Sequence, residues 1–212
     1  MTLPILYSFR RCPYAMRARM ALILASKECE LREILLKDKP DKMLQVSSKG
    51  TVPVLEFPDK VIDESLDIIS WAMESPVPNV HSYTEAEEIA SQELIQLFDS
   101  KFKHHLDRYK YSSRYGVDPL EHQEECKAIL ENLDAEIHPN PWIFGKQVSL
   151  LDISILPFIR QYKIANPDWF FAQNFTKVIA LLNYFEKSDL FIQAMQKFEL
   201  WDPIKKNGNI FP

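Results

Sequence analysis

The chain has 212 residues, enough for one large domain or two small ones, and 46% hydrophobic with 26% charged residues excludes disorder and calls for a packed core. A net charge of -5 argues against nucleic acid as the main partner, because phosphate binding needs a basic footprint, but leaves room for a small anionic ligand at a local positive site. Three cysteines at wide spacings, Cys12, Cys29 and Cys126, make neither a disulfide framework nor a zinc cluster and fit a reducing cytoplasm.

Residues 3–8 read as an apolar strand, with no charged start, apolar stretch and small-residue cleavage site before it of the kind a signal peptide carries. From Pro13 a helix follows, with Met16, Met20, Ile23 and Leu24 at helical spacing; residues 31–36 read as a second strand. Residues 52–57 and 60–62, separated by Pro58-Asp59, read as a hairpin, and Ser65 opens a helix with Leu66, Ile69 and Met73 on one face. This strand–helix alternation predicts a small α/β domain over 1–75. Pro76 and Pro78 break any continuous helix and mark a linker over 76–82.

Beyond the linker only helices are expected, so 83–212 reads as an all-α domain. Thr84 with Glu87 forms a capping box ahead of a helix through Ile89, Leu94, Leu97, Phe98 and Phe102. Further helices are predicted at 119–137, at 150–165 behind the cap Ser149/Asp152, at 177–187 and at 190–198. The longest apolar run, 148–159, is broken by Asp152 and Pro157 and is too short to span a bilayer. His104 and His105 are adjacent, point to different helix faces and do not chelate as a pair; His81, His122 and His138 form no constellation in the sequence, so no metal site is expected.

Three short motifs carry chemistry. In Arg10-Arg11-Cys12-Pro13-Tyr14, Pro13 suits the first helical turn and puts Cys12 at a helix N-terminus, where the dipole and free N–H groups favour a thiolate; Arg10 and Arg11 add positive charge. The opposing reading is a buried structural cysteine, the usual fate of a free thiol and the better one for Cys29 and Cys126. In Gly50-Thr51-Val52-Pro53-Val54-Leu55 a proline interrupts apolar strand residues; a cis Val52–Pro53 bond would leave the Val52 backbone free for an extended ligand, while a trans proline at a strand start is the alternative. In Asp63-Glu64-Ser65, Ser65 caps a helix or helps its N–H groups hold a carboxylate, and Glu64 offers an acceptor for an ammonium, so that together they would grip an amino-acid head group.

In this order and spacing the three motifs resemble those of glutathione transferases, and Cys-Pro-Tyr-Ala is similar to the omega-class and related bacterial cysteine-type members. Lys37-Asp38-Lys39-Pro40 resembles the omega segment that supplies a lysine, and Ser149-Leu150-Leu151-Asp152 the capping box of the family's helical domain. The resemblance implies a thioredoxin-like N-terminal domain followed by a helical-bundle domain, and glutathione as co-substrate. It implies that Cys12 meets the glutathione sulfur, Val52 beside cis Pro53 pairs with the cysteinyl part, Glu64 and Ser65 hold the γ-glutamyl end, and Lys39 meets the glycine carboxylate. Tyr7 and Ser8 keep open the hydroxyl-type mechanism of other classes. Tyr14, Phe98, Phe102 and Arg108 are the expected electrophile pocket. With Ala15 in place of a second cysteine, thiol transfer and deglutathionylation by a single thiol are expected over conjugation, in a cytoplasmic homodimer without nucleic-acid or membrane partners. The rival reading is a non-catalytic partner protein of the same fold, such as the RNA polymerase-associated kind.

Overall fold

The computed structural model describes residues 2–205 and 207–212. They form two compact units, one made of the chain up to Pro78 together with Ser188–Pro212, the other of Asn79–Lys187. The first unit opens with β1 (Ile5–Ser8), α1 (Pro13–Ala25) and β2 (Cys29–Glu33). There follow α2 (Asp41–Val46), β3 (Val54–Glu56), β4 (Val61–Ile62) and α3 (Ser65–Ala72). The second strand begins two residues earlier than the apolar pattern predicts, because Cys29 and Leu31 face the core while Glu33 is held by an ion pair with Arg19. Pro13 sits in the first turn of α1, and Ser26 in a left-handed conformation ends that helix.

The second unit is helical throughout its regular elements. Thr84 and Glu87 form the expected capping box at α4 (Glu85–Leu97), the Glu87 carboxylate accepting from the Thr84 N–H at 2.8 Å. A π-helical turn, Phe98–Phe102, then leads into α5 (Lys103–Lys110). After it come α6 (Ser112–Tyr115), α7 (Pro119–Glu136), α8 (Leu150–Ala165), α9 (Pro167–Phe171) and α10 (Thr176–Lys187). α8 begins at the expected Ser149 cap and runs through Pro157. Packing brings His122 of α7 against His105 of α5, ring nitrogens 2.8 Å apart, a contact the sequence does not announce. Among the described residues no group of three or more His, Cys, Asp or Glu side chains is arranged to hold a metal ion, and no helix is long and apolar enough to cross a membrane.

The final segment corrects the expectation that 83–212 is one all-helical domain. α11 (Asp189–Ala194) packs on α1, and β5 (Asn209–Phe211) pairs antiparallel with β2, Cys29 opposite Phe211. The sheet order is β4-β3-β1-β2-β5, with β1 and β2 parallel and every other pair antiparallel. The return of the chain covers an edge of β2 that would otherwise expose unpaired backbone. Gly208 enters this strand flat against the Glu30 side chain, where a β-carbon would collide. Leu6, Leu22, Leu31, Leu55, Ile68 and Phe211 join in one buried cluster across the sheet and its helices, each fully buried side chain contributing about 1.5–3 kcal/mol.

Candidate active site

Cys12 is the N-cap residue of α1, in extended conformation, with Pro13 behind it and its carbonyl accepting from the Met16 N–H at 3.0 Å. Its own N–H donates to the Phe9 carbonyl at 2.9 Å, a turn that fixes the cysteine at the positive end of a 13-residue helix. Cys12 is half-buried, whereas Cys29 and Cys126 are completely buried. Burial pushes the Cys29 thiol up to about 12 and raises that of Cys126 as well, so neither is a nucleophile at neutral pH.

The two hydroxyls that could have replaced the cysteine are engaged elsewhere. Tyr7 is buried, accepts from Arg32 at 2.9 Å and donates to Glu56 at 3.3 Å; burial pushes its phenol up to about 12. Ser8 is buried and accepts from the Arg19 Nε at 2.9 Å. The arginines flanking Cys12 have structural contacts of their own. Arg10 donates to the Met195 carbonyl at 3.2 Å and its N–H to Glu33 at 2.8 Å, tying the segment before α1 to the C-terminal chain. The Arg11 guanidinium lies 5.2 Å from the centre of the Phe9 ring.

The second motif converges on the thiol. The Val52–Pro53 peptide is cis, as the sequence allows, and the Val52 carbonyl lies 3.7 Å from Cys12 Sγ, where it accepts the thiol proton. Gly50, with φ +61°, makes the turn before it; a β-carbon there would stand 3.7 Å from Lys39 Nζ, which brings the lysine to the same turn. Lys39 also lines a cleft of about 460 Å³ with Asp38, Pro40, Asp41, Lys42, Trp201 and Pro203.

At the third motif the helix starts at Ser65, as expected. Glu64, not Ser65, is the N-cap of α3, and no side chain caps it. Ser65 is buried at the first helical position, its Oγ accepting from the buried Arg17 at 3.4 Å. Glu64 is exposed, and its Oε1 accepts from Lys49 Nζ at 2.6 Å. Lys49 also donates to Asp63 at 2.8 Å; that bond and one from Ser47 at 2.7 Å hold the Asp63 carboxyl below the usual range. Sequence reasoning missed Lys49, since a lysine before a turn glycine carries no signal of its own.

The residues expected to form an electrophile pocket are divided between the two units, Tyr14 in the first and Phe98, Phe102 and Arg108 in the second. Phe98 and Phe102 are fully buried and stacked on each other at 4.5 Å, with Tyr162 edge-on to Phe102. Their burial makes them core of the second unit and corrects the pocket assignment for this pair. Arg108 stands over the Tyr115 ring at 4.7 Å, and Tyr14 has Arg17 5.3 Å from its ring centre.

A thioredoxin-like mixed sheet with a cysteine at the start of its first helix, interrupted by a helical unit, is the glutathione transferase fold. Residues 6–79 match the family model of the glutathione S-transferase N-terminal domain and residues 92–186 that of the C-terminal domain, and the chain belongs to the glutathione S-transferase family. Glutathione S-transferase L1 of Arabidopsis thaliana is 26% identical over 164 residues, covering 75% of this chain and 66% of that protein, just under two thirds of its length. Glutathione S-transferase L3 of the same plant is 27% identical over 209 residues, covering 95% of this chain and 86% of the relative. Among solved structures, glutathione transferase Omega 3C from Trametes versicolor superposes with a TM-score of 0.75 at 19% identity, covering 94% of this chain and 92% of the other.

Proposed function

We propose that the protein is a cysteine-type, omega-like transferase that uses glutathione as co-substrate for thiol transfer and deglutathionylation. The observation that carries this reading is the half-buried Cys12 thiol at the N-terminus of α1. The Cys12 thiolate attacks the glutathione sulfur of a mixed disulfide, forming a Cys12–glutathione disulfide and expelling the substrate thiolate, which takes a proton from water. A second glutathione thiolate then attacks the glutathione sulfur of that adduct, giving oxidised glutathione and restoring the Cys12 thiolate. No internal dithiol step competes, because Ala15 stands three residues after Cys12. Val52 pairs with the cysteinyl part of the ligand, Glu64 and Ser65 take the γ-glutamyl end, and Lys39 takes the glycine carboxylate. Mass measurement after mixing with oxidised glutathione tests the reading: one glutathione on Cys12 is expected, and an unmodified protein refutes it.

The helix terminus should make Cys12 more reactive than a free thiol. Its alkylation rate is expected to rise with a midpoint below the free value of about 8.5, and a midpoint at that value would remove the thiolate from the mechanism. Replacing Glu64 by Gln is expected to weaken glutathione binding on the order of 1 kcal/mol, a charge-assisted contact at a site open to water. Calorimetry showing the same affinity would leave Glu64 out of the site. The protein is read as a cytoplasmic homodimer, and sedimentation at micromolar concentration is expected to give twice the 24.8 kDa chain mass.

A further inference from the structure

The Glu64 carboxylate that the proposed function assigns to the ligand's ammonium already holds an ammonium. Lys49 Nζ lies 2.6 Å from Glu64 Oε1 and 2.8 Å from Asp63 Oδ1, so one cation bridges two neighbouring carboxylates at the start of α3. The two acids are not equivalent. Asp63 is pinned from a second side, its Oδ2 accepting from Ser47 Oγ at 2.7 Å, and is mostly covered. The Glu64 side chain is 61% exposed and bonded through one oxygen. Lys49 is itself 46% exposed and follows Ser47 in the turn closed by the Gly50 N–H to the Ser47 carbonyl at 3.3 Å. It can therefore leave Glu64 while keeping Asp63, with no backbone rearrangement.

We propose that Lys49 is a tethered competitor of the ligand's α-ammonium at Glu64, so that head-group binding is an exchange of one ammonium for another. This rests on the reading that Glu64 receives the γ-glutamyl head group. The exchange has a physical purpose. Asp63 and Glu64 side by side would repel each other and attract any free amine or metal ion; Lys49 neutralises them until a ligand arrives that brings both an ammonium for Glu64 and a carboxylate for the Ser65 end of the helix. The cost is affinity: part of what the ligand gains at Glu64 repeats a contact the protein already has. Lys49 thus sets how strongly the site prefers a zwitterionic amino-acid head over a plain carboxylate.

The test compares glutathione with its des-amino analogue, glutaryl-cysteinylglycine, on wild type, Lys49→Met, Lys49→Arg and Glu64→Gln, with dissociation constants from calorimetry and the melting curve of each variant as a check on folding. Lys49→Met is expected to tighten glutathione by about 2–5-fold, the range of an exposed ion pair, and to leave the analogue unchanged or weaker. Lys49→Arg restores the cation and should return glutathione to near the wild-type value. Equal weakening of both ligands by Lys49→Met would make Lys49 a structural residue or a contact for a ligand carboxylate, and would overturn the proposal while Glu64→Gln still selectively weakens glutathione. If wild type and Glu64→Gln bind glutathione and the analogue alike, Glu64 does not read the ammonium, and the assignment of Glu64 falls together with the exchange.

Discussion

Cys12→Ser is expected to abolish disulfide exchange, with a loss on the order of a hundredfold or more, because a hydroxyl stays neutral near pH 7 and cannot form the mixed disulfide. Fold and glutathione binding should survive: Cys12 caps α1 through its backbone with no side-chain hydrogen bond to the helix, and Lys39, Val52, Glu64 and Ser65 are untouched. Conjugation of glutathione to an aromatic halide is expected to persist or rise, since a serine hydroxyl at the same helix terminus can donate to a glutathione thiolate. The measurement is a pair of rates on each protein, reduction of a glutathione mixed disulfide and conjugation to the halide. Full thiol-transfer activity in the mutant would dismiss Cys12 as nucleophile. The nearby hydroxyls of Tyr7 and Ser8, both buried and hydrogen-bonded to arginines, would not offer an easy replacement. Absence of both rates in the wild type, with glutathione still bound, would point instead to the non-catalytic partner reading.

The largest effect on stability is expected at Asp152. This carboxylate is fully buried at the start of α8 and accepts from the Ser149 N–H at 2.8 Å, the Ser149 hydroxyl at 2.6 Å and the Ile143 N–H at 3.1 Å. It closes the capping box and ties the loop before it to the helix. Asp152→Ala leaves those donors buried without an acceptor and should destabilise the protein by about 3–4 kcal/mol, read from urea denaturation. Ser149→Ala, which removes one cap while leaving the backbone donors to Asp152, should cost about 1 kcal/mol. A loss below that of Ser149→Ala would mean that the buried carboxylate does not hold the helix start. Burial also pushes the Asp152 carboxyl up to about 6, above the unfolded value of about 3.9. A native pKa raised in this way contributes stability that is complete below about pH 4 and is lost as pH rises through about 6. Asp152→Asn, neutral throughout, should flatten the stability profile across that window.

The features legible in the sequence are those whose physics is local. Proline after Cys12 fixes the first helical turn, and so the cysteine at a helix terminus follows from two adjacent residues. The caps Thr84/Glu87 and Ser149/Asp152 close within three residues, and the helices behind them start where those pairs predict. The order of strand, helix, strand, hairpin and helix follows from apolar spacing over a few residues at a time. Tertiary structure decided whatever depends on partners far along the chain. β5 is three residues with no pattern of its own, and becomes a strand because Cys29–Leu31 offers an open edge some 180 residues earlier. Phe98 and Phe102 carry the same helical spacing whether they line a pocket or a core; the ring stack and Tyr162 settle the matter by burying them. Arg17 and Arg19 carry no local signal of burial, yet both are buried, Arg19 in an ion pair with Glu33 and Arg17 against Ser65. Lys49 meets Asp63 and Glu64 only when folding sets the turn at Gly50 against the start of α3.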